Sequence, residues 1–175
     1  ITALAAPADL NEAAAQQEER LTLPIQSNEI ENWPEGPAVG AEGAIVLEAN
    51  TGVVLYAKNI HEKLYPASTT KLLTCLIAAR ECSMDEIVTF SHDAVFGIQQ
   101  GSSNIGIDEG QAMTMEECLY GILVASANEV AAAVAEHVAG SQEAFADMMN
   151  ETARELGCQD SHFVNPHGLF DENHY

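Results

Sequence analysis

A serine and a lysine stand at the start of an almost uninterrupted apolar run. Ser68-Thr69-Thr70-Lys71 follows Pro66-Ala67 and precedes the run that begins at Leu72. Residues 69, 72, 73, 76 and 77 follow the i, i+3, i+4, i+7, i+8 spacing of a core-facing stripe, and residues 72–79 carry no charge. The pattern predicts a buried helix that begins near Ser68 and turns this stripe towards the core.

The spacing of Ser68 and Lys71 suits nucleophilic chemistry. Residues at i and i+3 lie on one helical face, so the Lys71 amine can reach the Ser68 hydroxyl. A serine is a weak nucleophile until a base takes its proton, and burial of the lysine favours the neutral amine that such a base requires. The alternative is structural: Ser68 caps the helix and Lys71 is a solvated side chain of the first turn.

The acidic balance of the chain excludes several classes of partner. Six Lys and Arg residues stand against 27 Asp and Glu residues, giving a net charge of −21 over 175 residues. Nucleic-acid binding requires clustered Lys and Arg, so no nucleic acid is expected as a partner. No apolar stretch approaches the roughly 20 residues of a membrane-spanning helix. The length suits one domain with a substantial core.

Composition divides the chain into a leader and a folded part. Residues 1–36 are polar and acidic and predict an extended N-terminal leader, and residues 37–175 are expected to hold the folded domain. Two β-rich runs, 43–48 and 53–57, flank Ala49-Asn50-Thr51-Gly52 and predict an antiparallel hairpin.

The second half of the sequence predicts helices joined by short loops. Capping-box patterns predict helix starts after Ser83, where Glu86 is the partner, and after Thr114, where Glu117 is the partner. Helices are expected at 115–125, 129–139 and 142–156, ending at Gly140 and Gly157, and a loop is expected from Gly97 to Gly110.

The first residues bear on export. Ile1–Ala8 are small and apolar, and Ala3-Leu4-Ala5 has the small-x-small form of a signal-cleavage site. The remnant of an export signal and an ordinary chain terminus both fit them.

The cysteines and histidines predict no metal site. Four cysteines lack the C-x-x-C spacing of zinc sites and the density of a disulfide scaffold; Cys75 is expected in the core, and Cys82 and Cys118 pair only if the compartment is oxidising. His162, His167 and His174 are spaced irregularly, without H-E-x-x-H, and His167 is expected to fix a loop.

A polar interruption occurs inside the helical half. Ser126-Ala127-Asn128 separates the apolar residues 121–125 from the alanine-rich residues 131–135. Ser126 with Glu129 matches a capping box, which is the structural interpretation. The functional interpretation is that a second hydroxyl and an amide relay a proton and hold a substrate beside Ser68.

Three motifs together resemble a known family. Tyr65–Lys71, then Ser126-Ala127-Asn128, then His162–Leu169 with its Asn-Pro-His-Gly core are similar to the low-molecular-mass penicillin-binding D-alanyl-D-alanine carboxypeptidases, serine peptidases of the S-x-x-K, S-x-N, K-T-G class. The resemblance covers the chain from about Ala41 onward and favours chemistry over capping at both Ser68 and Ser126.

The resemblance implies a role for each matching residue. Ser68 would be the acylated nucleophile, Lys71 its base, Ser126 a proton shuttle to the leaving amine, and Asn128 a hydrogen-bond partner of Lys71 and of the substrate amide. The implied substrate is the D-Ala-D-Ala end of a peptidoglycan stem peptide, and β-lactam antibiotics would acylate the same serine. No cofactor is implied. The implied setting is extracytoplasmic, in cell-wall synthesis and the maintenance of cell shape.

The implied fold is an α/β (α+β) penicillin-binding, β-lactamase-like transpeptidase fold, with an antiparallel sheet flanked by helices. This sequence would supply the first two strands and the helical subdomain. Ala127 and Glu129 replace the Gly and Asp common in relatives, and no Lys-Thr-Gly or Lys-Ser-Gly occurs. In relatives that motif lies on a later strand and contacts the substrate carboxylate. We therefore expect a companion C-terminal segment that carries it.

Two alternatives to a carboxypeptidase stay open at this point. A serine β-lactamase of related fold would need a deacylating base beyond the S-x-N motif. A module that binds peptidoglycan or β-lactams without turnover would keep the acylation site and lack fast deacylation. The deacylation rate separates the three.

Overall fold

The computed structural model describes residues 10–175, so the export-signal expectation at Ile1–Ala8 lies outside the described residues. Helices within this range are α1 (Leu10–Leu21), α2 (Thr70–Glu81), α3 (His92–Phe96), α4 (Met115–Ala125), α5 (Asn128–Ala139) and α6 (Gln142–Glu155). Strands are β1 (Ala44–Leu47), β2 (Val54–Lys58), β3 (Ile87–Thr89) and β4 (Ala112–Thr114), and short 3-10 turns cover Gln26–Glu29 and Ala67–Thr69. No helix among these residues is both long and apolar enough to cross a membrane.

The chain forms two compact units, of which the first ends at Leu64 and the second is Tyr65–Tyr175. In the first unit, β1 and β2 pair antiparallel with Ala44 opposite Lys58 and a register shift after Val46. The predicted hairpin is therefore confirmed.

The prediction of an extended leader is wrong for α1, which is helical. Lys58 of β2 explains how this segment is held. Its Nζ donates to the carbonyl oxygens of Arg20 (2.5 Å) and Val39 (2.7 Å), and the side chain is only 1% exposed. The last carbonyls of a helix lack intrahelical partners and carry partial negative charge, which an ammonium group satisfies. The boundary placed at residue 36 stays a prediction.

The core of the second unit surrounds α5. Val130–Val134 are fully buried, and α2, α3, α4 and α6 all pack against this helix. Its alanine side chains are small, so neighbouring helices can approach closely. Cys75 and Cys118 lie in the same core, and all four cysteines are free thiols. The helices predicted at 115–125, 129–139 and 142–156 are confirmed to within one residue at each end.

One capping-box prediction is confirmed and one is wrong. Thr114 caps α4 in a complete box with Glu117. At Ser83 the same pattern closes a turn: Glu86 Oε1 accepts from the Ser83 N–H at 2.6 Å, but β3 follows. The residues after Glu86 are β-branched and pair antiparallel with β4, which favours a strand over a helix.

The stripe predicted to face the core on α2 is wrong in part: Ile77 is buried and Leu73 is half-buried, but Thr69, Leu72 and Leu76 are exposed. Leu72 is 64% exposed and Leu76 is exposed, whereas the buried residues of α2 are Thr70, Lys71, Thr74, Cys75, Ile77 and Ala78. The helix is rotated because its polar groups find partners on the inner side. Thr74 Oγ1 donates to the Pro166 carbonyl at 2.6 Å, a contact that helical periodicity cannot reveal.

Candidate active site

Ser68 lies at a strained turn directly before α2. It is the middle residue of the 3-10 turn Ala67–Thr69, and its side chain is exposed. Ala67 has φ +49°, the left-handed region that alanine rarely adopts. Backbone strain of this kind costs on the order of 1–3 kcal/mol and clusters at functional sites. The turn therefore presents a hydroxyl to solvent at the positive end of a helix.

Lys71 lies one turn along from Ser68 and is almost completely buried. Its Nζ donates to Ser68 Oγ at 3.1 Å and to the His167 carbonyl at 2.7 Å, and the residue is 2% exposed. Burial lowers the pKa of Lys71 to about 8, against the opposing effect of Cys75 and the Glu129 carboxylate. At pH 7 about one lysine in ten is then the free amine, which is near the optimum for a general base.

The segment after α6, residues 162–175, packs against the first half of α2 and hydrogen-bonds to it. Thr70 Oγ1 contacts His174 Nε2 at 2.8 Å, and the Val164 N–H donates to His174 Nδ1 at 3.2 Å. Because Nδ1 accepts, Nε2 is the protonated nitrogen and donates to Thr70. Together with the bonds from Lys71 and Thr74, this contact holds residues 162–175 against α2.

The Asn-Pro-His-Gly stretch fixes its own turn. Asn165 Oδ1 accepts from the Gly168 N–H at 2.7 Å, and His167 Nδ1 accepts from the Leu169 N–H at 3.2 Å. The loop-fixing role expected for His167 is therefore confirmed. Burial, reinforced by the charges of Lys71 and His174, lowers the pKa of His167 to about 4, so its ring stays neutral beside Lys71.

Ser126 does not cap α5. It has the left-handed conformation, φ 55° and ψ 34°, at the end of α4, and the N-cap of α5 is Ala127. The Ser126 hydroxyl makes no hydrogen bond within residues 10–175, so it is available to a substrate. The capping interpretation of the Ser126–Glu129 pattern is wrong.

Asn128 is buried at the first position of α5, and its N–H donates to the Ser103 carbonyl at 2.9 Å. Among the described residues its side chain makes no hydrogen bond with Lys71. The structure thus joins Ser68 with Lys71 directly, whereas Ser126 and Asn128 have no direct bond to that pair.

Glu129 is a site residue that sequence reasoning assigned only to capping. It is 2% exposed; Oε1 accepts from the Ile105 N–H at 2.6 Å, and Oε2 is buried without a hydrogen-bond partner among the described groups. Its charge acts on Lys71. Glu129 therefore holds the 97–111 loop to α5 and places a negative charge near the base. A single acid at the head of the apolar residues 130–135 was the available signal.

A family model described as D-alanyl-D-alanine carboxypeptidase, peptidase S11, matches residues 30–175. The curated relative D-alanyl-D-alanine carboxypeptidase DacF of Bacillus subtilis is 40% identical over 141 residues, covering 77% of this chain and 35% of the relative. DacD of Salmonella typhimurium is 37% identical over 147 residues, covering 78% of this chain and 37% of the relative. The chain thus spans little more than a third of the length of these relatives.

Solved structures share the fold. Penicillin binding protein 6B from Escherichia coli superposes with a TM-score of 0.75 at 32% identity, covering 83% of this chain and 48% of that one. Penicillin binding protein 5 from Haemophilus influenzae gives a TM-score of 0.75 at 28% identity, with 81% and 43% covered. The penicillin-binding, transpeptidase-like fold expected from the motifs is confirmed.

Proposed function

We propose that this chain, which belongs to the peptidase S11 family of D-alanyl-D-alanine carboxypeptidases, carries the acylation site of a serine D,D-carboxypeptidase. The substrate is a peptidoglycan stem peptide that ends in D-Ala-D-Ala, and the terminal D-Ala is released. β-Lactam antibiotics acylate the same serine.

The observation that carries this proposal is the pairing of Ser68 Oγ with Lys71 Nζ at 3.1 Å, with the pKa of Lys71 lowered to about 8. The free amine takes the hydroxyl proton while Oγ bonds to the penultimate D-Ala carbonyl carbon. The Ser68 N–H, at the start of α2, supplies one donor to the oxyanion. Collapse of the tetrahedral intermediate breaks the C–N bond and leaves an acyl-enzyme, which water then hydrolyses.

Two further residues take part in this scheme. The Ser126 hydroxyl passes the proton from Lys71 to the leaving D-Ala amine. The Asn128 amide binds the substrate amide and, once the substrate is present, Lys71. Ser126 follows α4 directly and Asn128 is the first residue of α5. The neighbouring Glu129 acts electrostatically on Lys71, which supports a position near the base.

A companion segment completes the site in this proposal. It brings the remaining sheet strands and a Lys-Thr-Gly motif, which binds the substrate carboxylate. Exposed apolar side chains on α2 (Leu72) and, separately, on β1 (Ile45 and Val46) are the surfaces that such strands would cover. An isolated two-stranded sheet is marginally stable in water, which also favours further strands.

The enzyme acts outside the cytoplasmic membrane in this proposal, because peptidoglycan stem peptides are trimmed there. Secretion and a part in cell shape belong to the same proposal.

Acylation is the test. The chain, together with any companion segment, is incubated with a β-lactam and its intact mass measured; an adduct on Ser68 that is absent from Ser68→Ala is expected. Release of D-Ala from a D-Ala-D-Ala peptide is expected as well. An adduct without D-Ala release would mean a non-turnover binding module, and rapid antibiotic hydrolysis would mean a β-lactamase.

A further inference from the structure

Three side chains of the types that can bind metals converge at the C-terminal end of α2, away from Ser68. Cys82 follows α2, Glu86 ends the turn before β3, and His137 lies in the last turn of α5. One ligand atom from each lies within 4.8 Å of the other two. His137 Nε2 and Glu86 Oε2 are 3.0 Å apart.

We propose that Cys82, Glu86 and His137 bind a Zn²⁺ ion. A thiolate, an imidazole and a carboxylate are the three ligand types that zinc takes in proteins, and three protein ligands plus one water complete a tetrahedral site. A thiolate disfavours the hard ions Ca²⁺ and Mg²⁺, which take oxygen ligands.

The cluster is partly organised before an ion arrives. The Ser83 N–H donates to Glu86 Oε1 at 2.6 Å, which fixes the carboxylate and leaves Oε2 directed at His137. Outer contacts of this kind orient metal ligands. Cys82 caps the C-terminus of α2 and His137 lies at the C-terminus of α5. Both helix ends carry partial negative charge, which favours a cation between them.

Small side-chain movements suffice to bind the ion. Zinc bond lengths of about 2.0 Å to nitrogen or oxygen and about 2.3 Å to sulfur place tetrahedral ligand atoms roughly 3.3–3.6 Å apart. His137 is exposed, and Cys82 and Glu86 are partly exposed, so solvent reaches the site and the side chains can rotate.

The ion is remote from the acylation chemistry. Cys82 follows Lys71 by eleven positions on α2, which at 1.5 Å per residue is roughly 16 Å. A bound zinc would fasten the end of α2 to β3 and to α5, and thereby stiffen the helix whose other end carries Ser68 and Lys71. No catalytic step involves it.

The spacing explains why the sequence predicted no metal here. Cys82 and Glu86 are four residues apart but do not share a helix, and His137 comes 51 positions after Glu86. The three residues meet only because α2, β3 and α5 pack together.

Calorimetric titration of the reduced, metal-stripped chain with Zn²⁺ tests the proposal. We expect one ion per chain, a rise in Tm, and affinity reduced more than about tenfold in Cys82→Ser and in His137→Gln. With Co²⁺ in place of Zn²⁺, a thiolate-to-metal charge-transfer band is expected in the chain and absent from Cys82→Ser.

Two matched controls separate this site from general binding. His92→Gln removes a histidine that contacts Glu109 at 2.9 Å without a nearby thiol, and Cys158→Ser removes an exposed thiol. Both should bind zinc as the parent does, with unchanged circular dichroism in every variant. No zinc uptake by the folded chain, or equal loss of affinity in the controls, would overturn the proposal and leave a hydrogen-bonded Glu86–His137 pair beside a free thiol.

Discussion

Gly168 lies so close to Ala67 that a Cβ on the glycine would stand 1.8 Å from the Ala67 carbonyl oxygen. It would also lie 2.9 Å from Thr70 Oγ1, and Gly168 has φ +80°. Real Cβ contacts are not shorter than about 3 Å. Because the clash is with backbone atoms of Ala67, no side-chain rotation can relieve it. The glycine of the Asn-Pro-His-Gly stretch therefore positions the turn that carries Ser68.

Gly168→Ala should consequently displace Ser68. We expect slower acylation by a β-lactam, by more than about tenfold, together with a loss of roughly 1–3 kcal/mol in the free energy of unfolding. Stopped-flow acylation and chemical denaturation measure the two quantities.

Gly110→Ala is the matched control. Gly110 also has φ +80°, but nothing lies within 4 Å of its would-be Cβ. Gly110→Ala should lower the free energy of unfolding through backbone strain but leave the acylation rate unchanged. Equal acylation in the parent and in Gly168→Ala would contradict the positioning role.

The acylation rate should depend on the protonation of Lys71. Because the base is the neutral amine and its pKa is about 8, kcat/KM should rise about tenfold per pH unit below pH 8 and level off above it. Lys71→Arg, which stays charged, and Lys71→Ala should fail to acylate while they retain the circular dichroism of the parent. A rate independent of pH between 6 and about 8 would remove Lys71 from this role.

Stability should fall in acid through His167. Its pKa is lowered from 6.5 to about 4 in the folded chain. Above pH 6.5 the ring is neutral in both states, so the free energy of unfolding is not reduced. As the pH falls towards 4, the unfolded chain binds a proton that the folded chain does not, and the free energy of unfolding falls. A shift of this size corresponds to about 3 kcal/mol.

Urea denaturation between pH 7 and about pH 4 measures this loss. His167→Gln keeps an acceptor for the Leu169 N–H and should flatten the slope, whereas His92→Gln, at an exposed position, should leave it unchanged. An equally steep slope in His167→Gln would assign the effect to other groups.

Features set by neighbours in sequence could be predicted, and features set by distant contacts could not. The Ser68–Lys71 pair depends on one helical turn, and α4 to α6 depend on periodicity and on signals such as the Thr114 box. The buried face of α2 depends on Thr74 meeting Pro166, which is 92 residues away. Apolar periodicity places the centre of the buried face at Leu72 and Leu76, which are exposed, and only Ile77 is common to the pattern and the buried face. A hydroxyl with a buried acceptor counts as polar in the pattern.

The same limit applies to the candidate site. Nothing local indicates that the His167 carbonyl accepts from Lys71, because a backbone oxygen has no sequence signature. Glu129 matched a local pattern, the capping box, but its carboxylate bonds to Ile105 instead. A local motif and a tertiary contact can use the same residue, and here the tertiary contact prevails.

Removing the charge of Glu129 should lower the pKa of Lys71. Glu129 raises the pKa of Lys71 against the lowering by burial, and Glu129→Gln keeps an oxygen for the Ile105 N–H. The midpoint of the acylation–pH profile should therefore move to lower pH, and more neutral amine should be present at pH 7. Glu143→Gln, an exposed change on α6, is the control and should leave the midpoint in place. An unchanged or higher midpoint in Glu129→Gln would show that the carboxylate does not act on Lys71.

Substitutions of Ser126 should affect turnover and the free energy of unfolding differently. Its left-handed backbone, φ 55°, strains any residue with a Cβ, and its hydroxyl caps no helix in the described chain. Ser126→Ala should therefore leave the free energy of unfolding unchanged, and Ser126→Gly should raise it by up to about 1 kcal/mol. Both variants lack the hydroxyl, so both should lose peptide turnover, by roughly 100-fold or more if the hydroxyl shuttles the proton to the leaving amine. D-Ala release and thermal denaturation are measured on the same preparations. A more stable Ser126→Gly with full turnover would show that Ser126 affects only the backbone conformation. A loss of stability in Ser126→Ala would restore the capping interpretation.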